Sequence, residues 1–344
     1  MTPIVDLNET QLQDILEANA AQAQACEDAA QRRAVPGDRF VFFAAFDGTN
    51  NDMNDLAGDP WCTNVGQLWQ QYDDGRPGHL QGGYYAGLGT NGRPTKETWL
   101  PPAVTVGVIE TAKKAYIDYA KAASAWLAAH PRASVSVVLT AFSRGAASAA
   151  IFSQLLYKRG LVLPYPSGAV LIKPGQTKIA AGVLFDPVAT GVDGNLALPP
   201  NAKNFVVLKA LNEYRHLFRA VDYTKQKDIA TTLGFYGNHC DAGGGYDNGL
   251  AAVTLDAATR FLQKSGLAIG DVPAARRLAP GEIAVHTEEY DEYGNKRWDV
   301  YNEDGFSFRD LRLFDRKVVI SPASRPAASG TRGFTMFDGA RVTI

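Results

Sequence analysis

Residues 135–150 read Val-Ser-Val-Val-Leu-Thr-Ala-Phe-Ser-Arg-Gly-Ala-Ala-Ser-Ala-Ala, and few other stretches restrict the fold as strongly. A β-branched, apolar run ends at Ala141-Phe142-Ser143-Arg144-Gly145, and an alanine-rich helix former follows at once. Such an order describes a buried strand, a tight turn carrying one serine, and a helix leaving immediately. Strand and helix then nearly touch, and the serine sits in a strained backbone conformation, so the positions two residues to either side must be small. Ala141 and Gly145 meet that demand, although the commoner pattern has glycine at both places and Ala141 adds a methyl group. Taken alone, the turn serves equally as a nucleophile elbow or as an ordinary strand-to-helix connection.

The surrounding pattern decides the fold class. Arg39–Phe46 is a short apolar run bounded by turn formers, and similar runs occur at Lys178–Phe185 and Asn204–Leu211. Helical segments are expected over 104–129, over the stretch after Ser143 to about Arg159, and over Asn248–Ser265. Buried strands alternating with helices imply βαβ crossovers. The expectation is an α/β, α/β-hydrolase-like fold with a mostly parallel central sheet flanked by helices. Residues 47–103 are rich in Gly, Pro, Asn and Asp. They read as a long functional loop region with a short helix at Val65–Tyr72 and a strand at Gly83–Tyr85. Residues 1–38 form a helical extension, 39–270 the catalytic domain, and 271–344 a small C-terminal β-rich extension. In that extension Ile283–Thr287 and Arg297–Asn302 flank a hairpin turn, and Ser321–Thr331 is an irregular tail.

Composition removes several function classes. With 34 Lys+Arg against 36 Asp+Glu the chain has no electrostatic footprint for nucleic acid. Three cysteines, Cys26, Cys62 and Cys240, at unrelated spacings argue against a disulfide framework or a thiolate zinc site. No apolar window is long enough to span a bilayer, and the N-terminus has no secretory signal, so the chain is expected to be made soluble in the cytoplasm.

A serine nucleophile needs a base, a group that orients the base, and donors for the oxyanion. Of the five histidines, His130 lies beside Pro131, His79 in a Gly/Pro-rich loop, His216 in Asn212–Phe218, and His286 in the expected C-terminal hairpin. His239 lies in Gly237-Asn-His-Cys-Asp-Ala-Gly-Gly-Gly-Tyr246, read as a loop after the last core strand and before a final helix. That late position suits a base. Ala180–Val188 is an apolar strand ending in Asp186, so the order is Ser143, Asp186, His239. Asp241 is the competing acid, with organisation of the glycine loop as its alternative role. The Arg144 N–H is the first oxyanion donor, and Gly145 keeps the turn open. The loop Asp47–Asp52 offers the second: Gly48 permits close approach, Thr49 carries an N–H and a hydroxyl, and Asp47 stands in support. Phe46-Asp-Gly-Thr49 also resembles the start of aspartate-nucleophile phosphatases, but Ala45 occupies the nucleophile's position. Asp47, Asp52 and Asp55 lack the spacing of an EF-hand, and no metal or cofactor is expected.

Six blocks occur in one order: Phe46-Asp-Gly-Thr-Asn-Asn51, Tyr84-Tyr-Ala-Gly-Leu-Gly-Thr90, Ala141–Ala146, Leu184–Val188, Ala210–Phe218 and His239–Tyr246. Together they resemble the α/β-hydrolase-type phospholipase effectors of bacterial type VI secretion, across residues 39–265. The resemblance implies a triad of Ser143, Asp186 and His239 and a carboxylic ester substrate, most directly a phospholipid. It further implies partners in the form of an immunity protein and a component of the secretion apparatus, and delivery into target cells. Ala141 and Pro187 depart from that family's usual glycine and threonine, and the large membrane-docking module of many members is absent. Two other readings stand beside it: a soluble esterase or thioesterase, and a non-catalytic interaction module on the same fold. Trp61, Trp69, Tyr72, Tyr84, Tyr85 and Trp99 are candidates for a lid or an acyl-chain groove.

Overall fold

A computed structural model of the chain describes residues 7–32, 40–55, 62–74, 81–90, 101–163, 167–213, 215–218, 220–246, 249–277, 284–286 and 332–333. The strands are β1 (Phe40–Phe46), β2 (Gly82–Tyr85), β3 (Val135–Phe142), β4 (Leu161–Val162), β5 (Val170–Ile172), β6 (Lys178–Phe185), β7 (Phe205–Ala210), β8 (Val221–Asp222), β9 (Ala230–Phe235) and β10 (Arg332–Gly333). The helices are α1 (Glu9–Ala29), α2 (Asn64–Asp74), α3 (Pro101–Ala129), α4 (Gly145–Arg159), α5 (His239–Gly243) and α6 (Ala251–Lys264). Six strands form one sheet in the order β2-β1-β3-β6-β7-β9, with every pairing parallel. The α/β expectation is met. β4 pairs antiparallel with β5, and β8 pairs with β10.

A sheet covered on both faces needs strands that are apolar on both faces, and β1 shows why. Phe40, Phe42, Ala44 and Phe46 pack into one core with α3 and α4, while Val41, Phe43 and Ala45 pack into a second core with α2 and α6. β7 divides the same way, Phe205 and Val207 against Val206 and Leu208. The helix α4 is buried from Gly145 through Leu156, which its alanines permit because small side chains let it lie close to β3. No described helix is long and apolar enough to cross a membrane.

Chain direction places a crevice. From β1 the chain passes through α2 to β2 on one side, then returns through α3 to β3 on the other. The connections after β1 and β3 therefore diverge at the carboxyl ends of adjacent strands, where parallel sheets open a binding crevice. Ser143 follows β3 and Gly48 lies just past β1.

Three sequence readings need correction. β9 was not foreseen, because Thr231 and Thr232 interrupt its apolar pattern; it is the sheet's edge, with Thr231 exposed. Trp69, Tyr72 and Tyr85 are not part of a lid: Trp69 stacks on Phe43, Tyr72 packs tilted against it, and Tyr85 stacks on Phe46, all in the core. His239 lies in a short helix rather than a loop. The expected hairpin falls outside the described residues except at 284–286, as do the tail over 321–331 and residues Trp61, His79 and Trp99.

Several polar contacts tie down the N-terminal helix, and that of Asn19 lies deep in the protein. Asn19 on α1 is buried, donates to the Tyr236 carbonyl (3.1 Å) and accepts from the Tyr236 N–H (2.7 Å), closing the chain end beyond β9. Asn19→Ala strands both backbone groups, so we expect it to lower stability by about 2 kcal/mol. Urea unfolding measures this. A midpoint equal to that of the wild type would mean that the Asn19 contact contributes nothing to the docking of α1.

Candidate active site

The site is assembled where β3 and β6 end, beside β7. Phe142 pairs with Phe185 and Phe185 with Leu208, so β3 and β6 finish level while β7 runs on to Ala210. Ser143 and Asp186 are each the first residue past a strand, and both have positive φ, 54° and 37°. Neither has the glycine that relieves such a conformation, so each turn is strained and must be held. Backbone bonds hold them: Ser143 N–H donates to the Phe185 carbonyl (3.0 Å) and Asp186 N–H to the Leu208 carbonyl (2.7 Å). The Ser143 carbonyl accepts from Ala146 and Val188.

Gly145 shows why the turn requires a small residue. A Cβ there would lie 2.5 Å from the carbonyl oxygens of both Phe46 and Asp47. Ala141 is fully buried and fits in register between Phe46 and Leu184, so the extra methyl is accommodated.

His239 enters from the far side at the first position of α5. Asn238 caps that helix, accepting from Asp241 N–H (2.9 Å) while the Asp241 carboxylate accepts from Asn238 N–H (3.1 Å). The His239 Nδ1 lies 2.6 Å from Asp186 Oδ2, and Asp186 Oδ1 accepts from the Ala210 N–H (3.0 Å). Both side chains are almost wholly buried, and Ser143 is 7% exposed. Burial holds the His239 pKa below the usual histidine value; the Asp186 hydrogen bond and charge oppose the shift without reversing it. Its imidazole stacks on Phe142 (4.5 Å between centroids) and meets the edge of Phe218 (4.8 Å). The Phe142 ring is boxed in by Gly243 and Gly48, where added Cβ atoms would come within 1.9 and 2.9 Å of it. Phe142 thus spaces the serine turn, the loop after β1 and α5. The hydrogen bonds run from Asp186 to His239, and among the described residues the Ser143 hydroxyl enters none of them. Before substrate binds, catalytic hydrogen bonds are often long.

The loop after β1 turns on Asp47. Its buried carboxylate accepts from Gly48 N–H (2.8 Å), from the Thr63 hydroxyl (2.8 and 2.9 Å) and from the Tyr84 hydroxyl (2.6 Å). Burial pushes this carboxyl up to about 6, with those hydrogen bonds pulling the other way. The Gly48 N–H is engaged here, and the Thr49 hydroxyl accepts from Arg144 Nη1 (3.1 Å). A Cβ on Gly48 would stand 3.1 Å from Ser143 Cβ, so the loop passes directly beside the turn. Burial also lowers the Arg144 guanidinium, to about 10.

Asp241 is turned away from His239. Its Oδ1 is 2.7 Å from His286 Nδ1, and its Oδ2 accepts from the His286 N–H (2.9 Å). Tyr246 stacks on the His286 ring at 3.9 Å. His286, at the edge of the expected C-terminal hairpin, is buried against α5. Its distance along the chain left no local signal of that contact.

Gly145→Ala tests the closeness of strand and helix. The clash is with main-chain oxygens, which no rotamer change relieves, so we expect a loss of about 3 kcal/mol in urea unfolding. A stability loss within 0.5 kcal/mol or so, the usual scatter of harmless surface changes, would contradict the packing described.

No protein-family model matches the chain, and no curated protein does. Among solved structures, an uncharacterized protein from Pseudomonas aeruginosa is similar at 16% identity and a TM-score of 0.49, covering 80% of this chain and 52% of its own. The Tle1 effector bound to the VgrG spike from the Type 6 secretion system is similar at 20% identity and a TM-score of 0.44, covering 62% and 52%. Esterase PE8 is similar at 14% identity and a TM-score of 0.32, covering 68% and 95%. The chain spans about half the length of the first two.

Proposed function

We propose that the protein is a serine hydrolase that cleaves a carboxylic ester through Ser143, His239 and Asp186. The observation carrying this reading is the buried 2.6 Å contact between His239 and Asp186, reached by a helix that stacks its imidazole on the residue preceding a strained serine turn. With Nδ1–H donated to Asp186, the imidazole keeps the lone pair of Nε2 for the serine proton. Ser143 Oγ attacks the ester carbonyl as Nε2 takes its proton. The tetrahedral oxyanion is received by the Arg144 N–H and the Thr49 N–H, since Asp47 engages the Gly48 N–H. His239 then gives the proton to the departing alcohol, leaving an acyl-Ser143. Water, deprotonated by the same imidazole, releases the acid.

The choice of a phospholipid ester follows from the order of the six sequence blocks. So does the reading as an antibacterial effector with an immunity protein and a secretion-apparatus partner. A soluble esterase or thioesterase shares the same chemistry without the membrane.

Three variants and two substrates test the proposal. Ser143→Ala, His239→Ala and Asp186→Asn are expected to lower kcat on a short-chain ester by about a thousand-fold, with KM little changed. Hydrolysis of phospholipid vesicles by the wild type supports the lipid substrate, whereas turnover of the soluble ester alone favours the soluble enzyme. Wild-type protein that turns over neither overturns the hydrolase reading.

The pH profile is a separate check. A base is competent when neutral, and burial holds the His239 pKa down. The acid limb of kcat/KM is therefore expected below the ordinary histidine value of 6.5, with activity lost as pH falls through it. A limb above that value contradicts the assignment of His239 as base.

A further inference from the structure

Behind the His239 imidazole lies a buried ion pair that the chemistry above does not use. Glu213 and Arg215 follow β7 and are 1% and 8% exposed. Arg215 Nε and Nη2 each meet a different oxygen of the Glu213 carboxylate, at 2.8 and 2.7 Å. The same carboxylate accepts from the Arg215 N–H (2.9 Å) and from the His239 N–H (3.3 Å). The guanidinium carbon stands 3.5 Å from the centroid of the Phe218 ring, and Phe218 presents its edge to the His239 imidazole. Two routes therefore lead from one ion pair to one histidine, one through its backbone and one through an aromatic ring.

A buried ion pair is a poor device for stability, because desolvation of the two charges roughly cancels their attraction, and apolar side chains of similar volume serve as well. Its location suggests a different use. An anion near His239 favours the imidazolium and a cation disfavours it, and Glu213 and Arg215 act on this histidine in those opposite senses. The remaining charge in contact with the ring is Asp186, from the end of β6. Asp241, on the same helix as His239, is engaged by His286 on the opposite side. Phe142 and Phe218, the rings packed against His239, are uncharged.

We propose that Glu213 and Arg215, acting through the His239 N–H and Phe218, are positioning residues that hold the imidazole on Asp186 and cancel each other's field there. The proposal rests on the reading of His239 as the base. Proton transfer tolerates little misplacement of the base, so a gripped imidazole matters to kcat rather than to substrate binding.

The experiment follows the His239 imidazole titration by NMR, its signal assigned with His239→Asn, and in parallel the kinetics on a short-chain ester. E213Q is expected to move the titration to lower pH and R215Q to higher pH, with E213Q/R215Q returning close to wild type. F218L is expected to lower kcat about ten-fold at unchanged KM, and F218Y to restore most of it. E213Q and R215Q shifting the titration in the same direction, or not at all, overturns the proposal. Where R215Q fails to fold because Glu213 is left uncompensated, the double variant decides: a titration displaced as far as in E213Q is equally fatal. The titration needs no turnover, so it separates the two readings. An active S143A would sink the hydrolase reading and leave the titration result standing; an inactive S143A with a static titration would sink the positioning role alone.

Discussion

The parallel register of β3, β6 and β7 is the constraint on which the site depends. Because Phe142, Phe185 and Leu208 are level, Ser143 and Asp186 leave the sheet at the same height. Each leaves in a left-handed conformation that costs about 1–2 kcal/mol for a residue with a side chain. The backbone ladder extends one residue beyond the strands to hold them, through the Phe185 and Leu208 carbonyls. A slip of one residue would turn every side chain of a strand to the opposite face, mixing the two cores and separating Ser143 from Asp186.

The remaining members are brought in by polar contacts buried where water cannot replace them. Asp47 gathers Gly48, Thr63 and Tyr84, joining the loop after β1 to the start of α2 and to β2. Asp186 gathers Ala210 and His239. In each case a carboxylate is kept out of solvent by the donors aimed at it, which is the condition under which a buried charge is tolerated. Removing one donor leaves the others facing an underpaired anion, so these clusters stand or fall together.

Much of this was legible in the sequence, for identifiable reasons. β1, β3, β6 and β7 are apolar on both faces, and so they were visible as continuous runs. Ser143 and Asp186 stood out because each follows a strand end marked by the change from β-branched to small or polar residues, and His239 because it lies in a late, glycine-dense stretch. What was missed lacked such a contrast. β9 has one face exposed at Thr231 and so alternates too weakly. α5 was hidden among Gly237, Gly243, Gly244 and Gly245, although Asn238 and Asp241 at the spacing of a capping box were the signal for it. Trp69 and Tyr72 fall in the expected short helix, whose spacing Val65, Leu68, Trp69, Tyr72 marks a buried face and so speaks against a lid. The approach of His286 to Asp241 had no trace in the sequence, since nothing local links residues 45 positions apart.

The helix α5 offers its first residue to Asp186 and its third to His286, so it is pinned on two opposite sides. Over so short a helix, any rotation that eased one contact would break the other. This side of the candidate site is therefore rigid and has little freedom to drift under selection. The segments after β1 are joined to it through the Phe142 ring, through the bond from Arg144 to the Thr49 hydroxyl and through Asn64, which donates to the Ala242 carbonyl.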